Sequence, residues 1–206
     1  MNRRCTTNAM KFRSIATAIV AAAFAFHSAT HAKTFQIKGL TLGATTQAAC
    51  GTANVTDNYG DIIRKYKPQA PALVEMGTQE CEVEINTFGG HKTTGPAKLL
   101  FLDRQLILVK IELSNMTLSD FVGILKALTE DYGKPKRTIS RPFVTDSWRA
   151  PGATLVLERL GREWDDNDAT VILRQDSGYS IFESRSKTNS RILEALDKSA
   201  IKRDIR

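Results

Sequence analysis

The pattern of apolar and polar positions is sharpest between Leu99 and Pro135 (LLFLDRQLILVKIELSNMTLSDFVGILKALTEDYGKP). Leu99–Leu102 and Leu106–Leu113 predict two strands around a tight turn at Asp103-Arg104-Gln105. Leu106-Ile107-Leu108-Val109 is uninterrupted, so the second strand is expected to be central and covered on both faces there. A helix follows. Thr117 can cap it, and Asp120 stands three residues on, where a capping-box acid belongs. Leu118, Phe121, Val122, Leu125, Leu128 and Tyr132 recur at three- and four-residue spacing, which predicts one apolar face. Gly133 suits a left-handed stop, and Pro135 bars resumption.

Upstream the same plan is weaker. Lys33–Lys38 predicts a strand, and Thr45 or Thr46 can cap a short helix through Cys50. Ile62–Tyr66 predicts one or two helical turns ended by Pro68 and Pro71. Cys81–Phe88 alternates strictly and predicts a half-buried strand. Downstream, Phe143–Trp148, Thr154–Leu160, Thr170–Arg174 and Tyr179–Ser184 are four more strand candidates. Pro151-Gly152 and Asp176-Ser177-Gly178 are read as short turns between antiparallel neighbours. Ser190 is expected to cap a last short helix with Ile192, Leu193, Leu196 and Ala200 on one side. The order strand, helix, strands occurs twice. The expected fold is α+β: an antiparallel sheet with helices packed on one face, in two tandem related modules, 33–96 and 97–184. A basic helix or tail, 185–206, follows.

The N-terminus changes what counts as fold. Arg3, Arg4, Lys11 and Arg13 precede the apolar run Ile15–Phe26, and Thr30-His31-Ala32 offers a small-residue exit. This is read as a secretory signal peptide, 1–32, cleaved near Ala32, with Met10 a candidate start. Ile15–Phe26 is too short to span a bilayer as a mature helix, and no later apolar run reaches the length of about 20 residues that a span needs. Of the 29 Lys and Arg and 22 Asp and Glu, the first 32 residues hold four basic and no acidic ones. The remainder carries +3, of which 185–206 supplies +4. The body is near neutral, with no basic stripe of the kind that binds nucleic acid. Cys50 and Cys81 are expected to form a disulfide, which an oxidising compartment permits.

Gly39-Leu40-Thr41-Leu42-Gly43-Ala44-Thr45 resembles the strand-to-helix opening of small envelope proteins of the SmpA/OmlA type, and of the related tandem modules of β-lactamase-inhibitor-protein-like folds. Leu128–Pro135, ending Tyr132-Gly133-Lys134-Pro135, is similar to the Gly-x-Pro helix exit of that group, with Trp148 following. The resemblance implies a non-catalytic protein whose sheet face or loops bind another protein. Cys5 precedes the apolar run rather than following it, so the lipid attachment of the SmpA/OmlA lipoproteins is not carried over.

Catalytic patterns are sparse. After residue 32 the only histidine is His91, in the Gly89–Gly95 loop, and no Gly-x-Ser-x-Gly elbow, Walker loop or His-Glu-x-x-His occurs. The acidic loop Glu163, Asp165, Asp166, Asp168 lacks the glycine and glutamate positions of an EF-hand. Trp148 and Trp164 are either core residues or, beside Arg149 and Arg162, a binding hot spot, where Trp and Arg are enriched. The expected protein is therefore a periplasmic, non-enzymatic binding module for another envelope protein, without metal or cofactor. The alternatives are an envelope hydrolase using carboxylates, and a protein held to anionic envelope surfaces by its basic tail.

Overall fold

Local caps and turns set the order of elements along the chain. The computed structural model describes residues 34–160 and 168–204; the segment 1–32, expected to be a signal peptide, and most of the acidic loop lie outside the described residues. Phe35 and Ile37 are buried. The expected strand around them is replaced by a turn at Lys38 and Gly39, both at positive φ, with a single bridge from Ile37 to Leu40. Helix α1, Thr46–Cys50, starts at Thr45, whose hydroxyl accepts the Ala48 N–H at 3.3 Å. Strand β1 is only Val55–Thr56. Helix α2, Asn58–Tyr66, starts at Asp57, whose carboxylate accepts the Gly60 N–H at 2.9 Å.

The expected strand Cys81–Phe88 is divided in two. β2 runs Thr78–Val83, and β3, Thr87–Phe88, pairs with β4, His91–Lys92. Gly89 and Gly90, both at positive φ, make that turn. β5, Ala97–Leu102, and β6, Gln105–Leu113, form the predicted hairpin, with Asp103 (φ 49°) and Arg104 (φ 66°) at its tip. Helix α3, Leu118–Tyr132, has a complete capping box between Thr117 and Asp120 and ends at Gly133 (φ 82°). β7, Lys136–Ser140, has no counterpart among the sequence expectations. β8, Phe143–Ala150, and β9, Ala153–Leu160, turn at Pro151-Gly152, and β10, Ala169–Gln175, leads straight into helix α4, Asp176–Asp204.

Eight strands make one antiparallel sheet in the order β1-β2-β5-β6-β10-β9-β8-β7. It runs through both of the stretches read as modules, and the described residues all fall in one unit, Ala32–Arg206. Leu99 and Phe101 point to one face, Leu100 and Leu102 to the other, as the pleat requires. The first face carries the main core, where Val109, Ile111, Leu157, Val171 and Leu173 lie under Phe121, Ile124 and Leu128 of α3. Leu118 and Val122, assigned to that apolar face by spacing, are about half exposed (49% and 50%), because the buried stripe centres on Phe121, Ile124 and Leu128.

The apolar run of β6 is buried on both faces through a bulge. Leu100 pairs with Leu108 but Phe101 with Leu106, so Ile107 is an extra residue. It joins Leu100 and Leu102 on the second face, whereas Leu106 and Val109 stay on the first.

That second face is where the sequence reading needs correction. Tyr179–Ser184 is not a strand and Ser190 does not begin the last helix: both lie within α4, which starts at Asp176. So the boundary drawn at 184–185 falls inside a helix, and helices cover both faces of the sheet. Phe182 packs on the Leu100, Leu102 and Ile107 cluster. Gly178 permits the contact, since a Cβ there would stand 2.5 Å from Ile107 Cγ2. Farther along, Ile192, Leu193 and Leu196 pack on Ile63, Leu73 and Met76. A helical period of three to four residues thus connects Phe182 to Leu196, whereas the strand reading saw only the local alternation of Tyr179–Ser184.

Candidate functional site

The sheet sends the predicted site residues in different directions. Trp148 is 3% exposed and belongs to the main core. Its Nε1–H donates to the Gly133 carbonyl at 2.7 Å, tying β8 to the exit of α3. It therefore offers no exposed ring to a partner. Arg149 is exposed and, being next in the strand, points to the opposite face, opposite Thr154. Arg162 and Trp164 lie outside the described residues, as do Glu163, Asp165 and Asp166. Cys50 and Cys81 form the expected disulfide, with a Cα–Cα distance of 6.2 Å, and pin α1 to β2 within the core. Neither sulfur is a free thiol nucleophile.

His91 fastens the β3–β4 hairpin to the start of α3. Its Nε2 lies 3.1 Å from the Ser114 carbonyl oxygen, and its Nδ1 lies 3.8 Å from Asp120 Oδ2. The same Asp120 carboxylate accepts from the Thr117 hydroxyl at 2.7 Å and amide at 2.9 Å. Those bonds, with the nearby imidazole, hold the Asp120 carboxyl below its ordinary pKa. All of its geometry is that of a helix cap. Among the described residues no group of three or more His, Cys, Asp or Glu is placed to hold a metal ion.

A concave feature lies on the second face, where α2, α4 and the sheet meet. It is a groove of ≈ 790 Å³. Tyr59 from α2, with Tyr179 and Phe182 from α4, wall it. The Tyr59 and Phe182 rings meet edge to face at 5.2 Å, and Tyr179 lies 6.0 Å from Phe182. Arg174, at the end of β10, stacks its guanidinium 5.0 Å over the Tyr179 ring. Burial raises the pKa of both phenols first, with Glu80 adding to the effect at Tyr59 and Glu183 at Tyr179. Both hydroxyls are thus neutral at physiological pH and can donate or accept.

The floor is polar because β2, β5 and β6 alternate. Glu80 and Glu82 on β2, Lys98 on β5 and Lys110 on β6 all line it. Glu82 stands opposite Lys98, and Lys98 opposite Lys110. Two like charges so placed repel. Glu112 relieves this, lying 2.8 Å from Lys110 Nζ and 3.8 Å from Lys98 Nζ. The Lys110 hydrogen bond holds the Glu112 carboxyl below its ordinary pKa. Glu80 is held at the groove edge by Asn58 Nδ2, at 3.0 Å. The result is an aromatic wall beside a floor of mixed charge, with Glu80, Glu82 and Glu84 beside Lys98 and Lys110 and Glu112 close to both lysines. Such a surface suits recognition by ring contacts and hydrogen bonds.

The sequence reading passed over this groove. Its residues come from 53–59, 80–84, 96–110 and 179–182, and only pairing of β2 with β5 and the helical form of 179–182 bring them together. The one signal in the chain was the alternation of Glu80, Glu82 and Glu84 on the polar side of a half-buried strand.

Comparison with known proteins adds little. No protein-family model matches the chain, and no curated protein matches it. Among solved structures it is similar to a GTP binding regulator from Thermotoga maritima, at 10% identity over 61% of this chain and 85% of that one, with a TM-score of 0.37. A likeness of that size carries no inference about fold or activity. No helix among the described residues is long and apolar enough to cross a membrane.

Proposed function

We propose that this is an exported periplasmic protein that binds another envelope protein without catalysing a reaction, and that the groove between α2, α4 and the sheet is its recognition surface. The observation that carries this reading is the wall of Tyr59, Tyr179 and Phe182 beside a floor that mixes acidic and basic side chains. Partly exposed aromatic side chains are the commonest anchors of protein interfaces. The basic, apolar and small-residue segments of 1–32 support export. The buried disulfide suits an oxidising compartment. The resemblance to SmpA/OmlA and β-lactamase-inhibitor-protein-like modules points toward the same kind of role.

The test is capture of partners from periplasmic and membrane extracts by the purified protein, beside Tyr59→Ala and Phe182→Ala. A partner retained by the unaltered protein and lost from both variants, with their melting transitions intact, is the expected outcome. Equal capture by all three proteins would refute the groove as the site. Trp148→Ala is no control here, since that ring is core.

A second reading rests on Glu80 and Glu82, alternate residues of β2 on the groove floor. Such a pair could serve a carboxylate hydrolase. Hydrolysis of envelope polymers that disappears in both Glu80→Gln and Glu82→Gln would replace the binding reading with this one. The third reading, retention at anionic surfaces, rests on the exposed Lys187, Arg191 and Lys198 of α4. Salt-insensitive envelope association would remove it.

A further inference from the structure

Strand β7 closes one end of the sheet. It pairs with β8 on one side and has no described strand on the other. All five of its residues are exposed. The outer edge of such a strand presents unpaired N–H and C=O groups able to accept another strand. Pro135 and Pro142 flank β7 and none lies within it, so each of its residues keeps its N–H.

The side chains say what kind of strand fits. Residues 134–141 contain Lys134, Lys136, Arg137 and Arg141 and no acidic residue. Arg137 is already matched: its Nε and Nη2 donate to the wholly buried Asp146 at 2.8 and 2.9 Å. Lys134, Lys136 and Arg141 remain as exposed cations. On the face that Arg137 shares with Asp146, Ile139 stands opposite Val144 and is 70% exposed, more than any other large apolar side chain among the described residues. On the other face Lys136 stands opposite Ser147. Within β7 one face thus carries Ile139 and the Asp146-paired Arg137, and the other carries Lys136 with Thr138 and Ser140.

We propose that β7 is a docking edge for an extended acidic segment of another protein, added as a ninth strand. Its apolar side chains lie on Ile139 and its carboxylates meet Lys136 and the flanking Lys134 and Arg141. The same cations exclude a second copy of this chain, because two β7 edges would bring like charges together. The site is independent of the groove, which lies beside β2 at the far end of the strand order.

A fluorescein-labelled peptide of alternating valine and glutamate is the probe, titrated against the purified protein and read by anisotropy. Binding is expected to weaken about tenfold in Lys136→Glu or Arg141→Glu, and to weaken with added salt. An otherwise identical probe with alternate backbone nitrogens methylated is expected to lose binding, whichever protein variant is used. Tyr59→Ala is expected to leave binding unchanged, which separates this edge from the groove. No saturable binding, equal binding of a valine–lysine peptide, or equal binding of the methylated probe would overturn the proposal. A dimer in sedimentation that Lys136→Glu does not enhance and that blocks the probe would also overturn it, in favour of a second copy.

Discussion

Asn189 carries more of the second layer than its type announces. It is buried, at 4% exposure, in a helix otherwise rich in exposed polar residues. Its side chain pairs with Val74 as a backbone would, accepting the Val74 N–H through Oδ1 and donating to the Val74 carbonyl through Nδ2, each at 2.8 Å. Arg185, one turn earlier, donates to the Met76 carbonyl at 2.7 Å. The segment before β2 is thus held to α4 by side chains replacing a strand partner. In Asn189→Ala, both Val74 groups lose their partner. The expected cost is about 1–3 kcal/mol, measured as a lower midpoint in urea unfolding. Asn189→Asp should be no milder, because the replacement cannot donate to the carbonyl.

Among the elements, α4 is the one whose placement depends on a single small residue. Its first turn lies directly on the sheet, and Gly178 sits against Ile107, which is 1% exposed. Gly178→Ala would ordinarily favour a helix. Here the added methyl would sit 2.5 Å from Ile107 Cγ2 and 2.9 Å from Gln175 Oε1. The expected result is a net loss of about 1–3 kcal/mol, seen as a lower melting temperature. Ile107→Ala combined with Gly178→Ala should cost less than the sum of the two single changes, because it removes the clash. The β5–β6 bulge makes this contact possible by turning Ile107 to the second face.

At the scale of the whole molecule, acid sensitivity follows from two carboxylates on different elements. Asp120 caps α3, with the Thr117 bonds as the main cause of its lowered pKa; Glu112 sits on the sheet with Lys110 as the main cause. Each folded pKa lies below its unfolded value. The stability they contribute is therefore complete above the ordinary carboxylate range and is lost as pH falls through the lowered values. The melting temperature should fall between about pH 5 and about pH 3. Asp120→Asn and Glu112→Gln should each flatten that fall while lowering the melting temperature near neutrality. A fall of unchanged steepness in both variants would place the acid sensitivity elsewhere.

The parts that were legible from residues are those fixed by near neighbours in the chain. Thr117 with Asp120, the Asp103-Arg104 turn and the stop at Gly133 depend on a few adjacent dihedrals and hydrogen bonds. The β5–β6 hairpin and the antiparallel α+β class were readable from pattern, and the Cys50–Cys81 pair from there being two cysteines after the apolar N-terminal run. Tertiary structure decided what local pattern leaves equal. Tyr179–Ser184 alternates like a strand, yet the apolar surface of Leu100, Leu102 and Ile107 rewards a helix that continues to Leu196. Trp148 and Arg149 adjoin in sequence, yet the pleat sends one into the core and the other to solvent. The groove and the basic edge exist only once strand order is set, because burial and strand pairing depend on residues far apart in the chain.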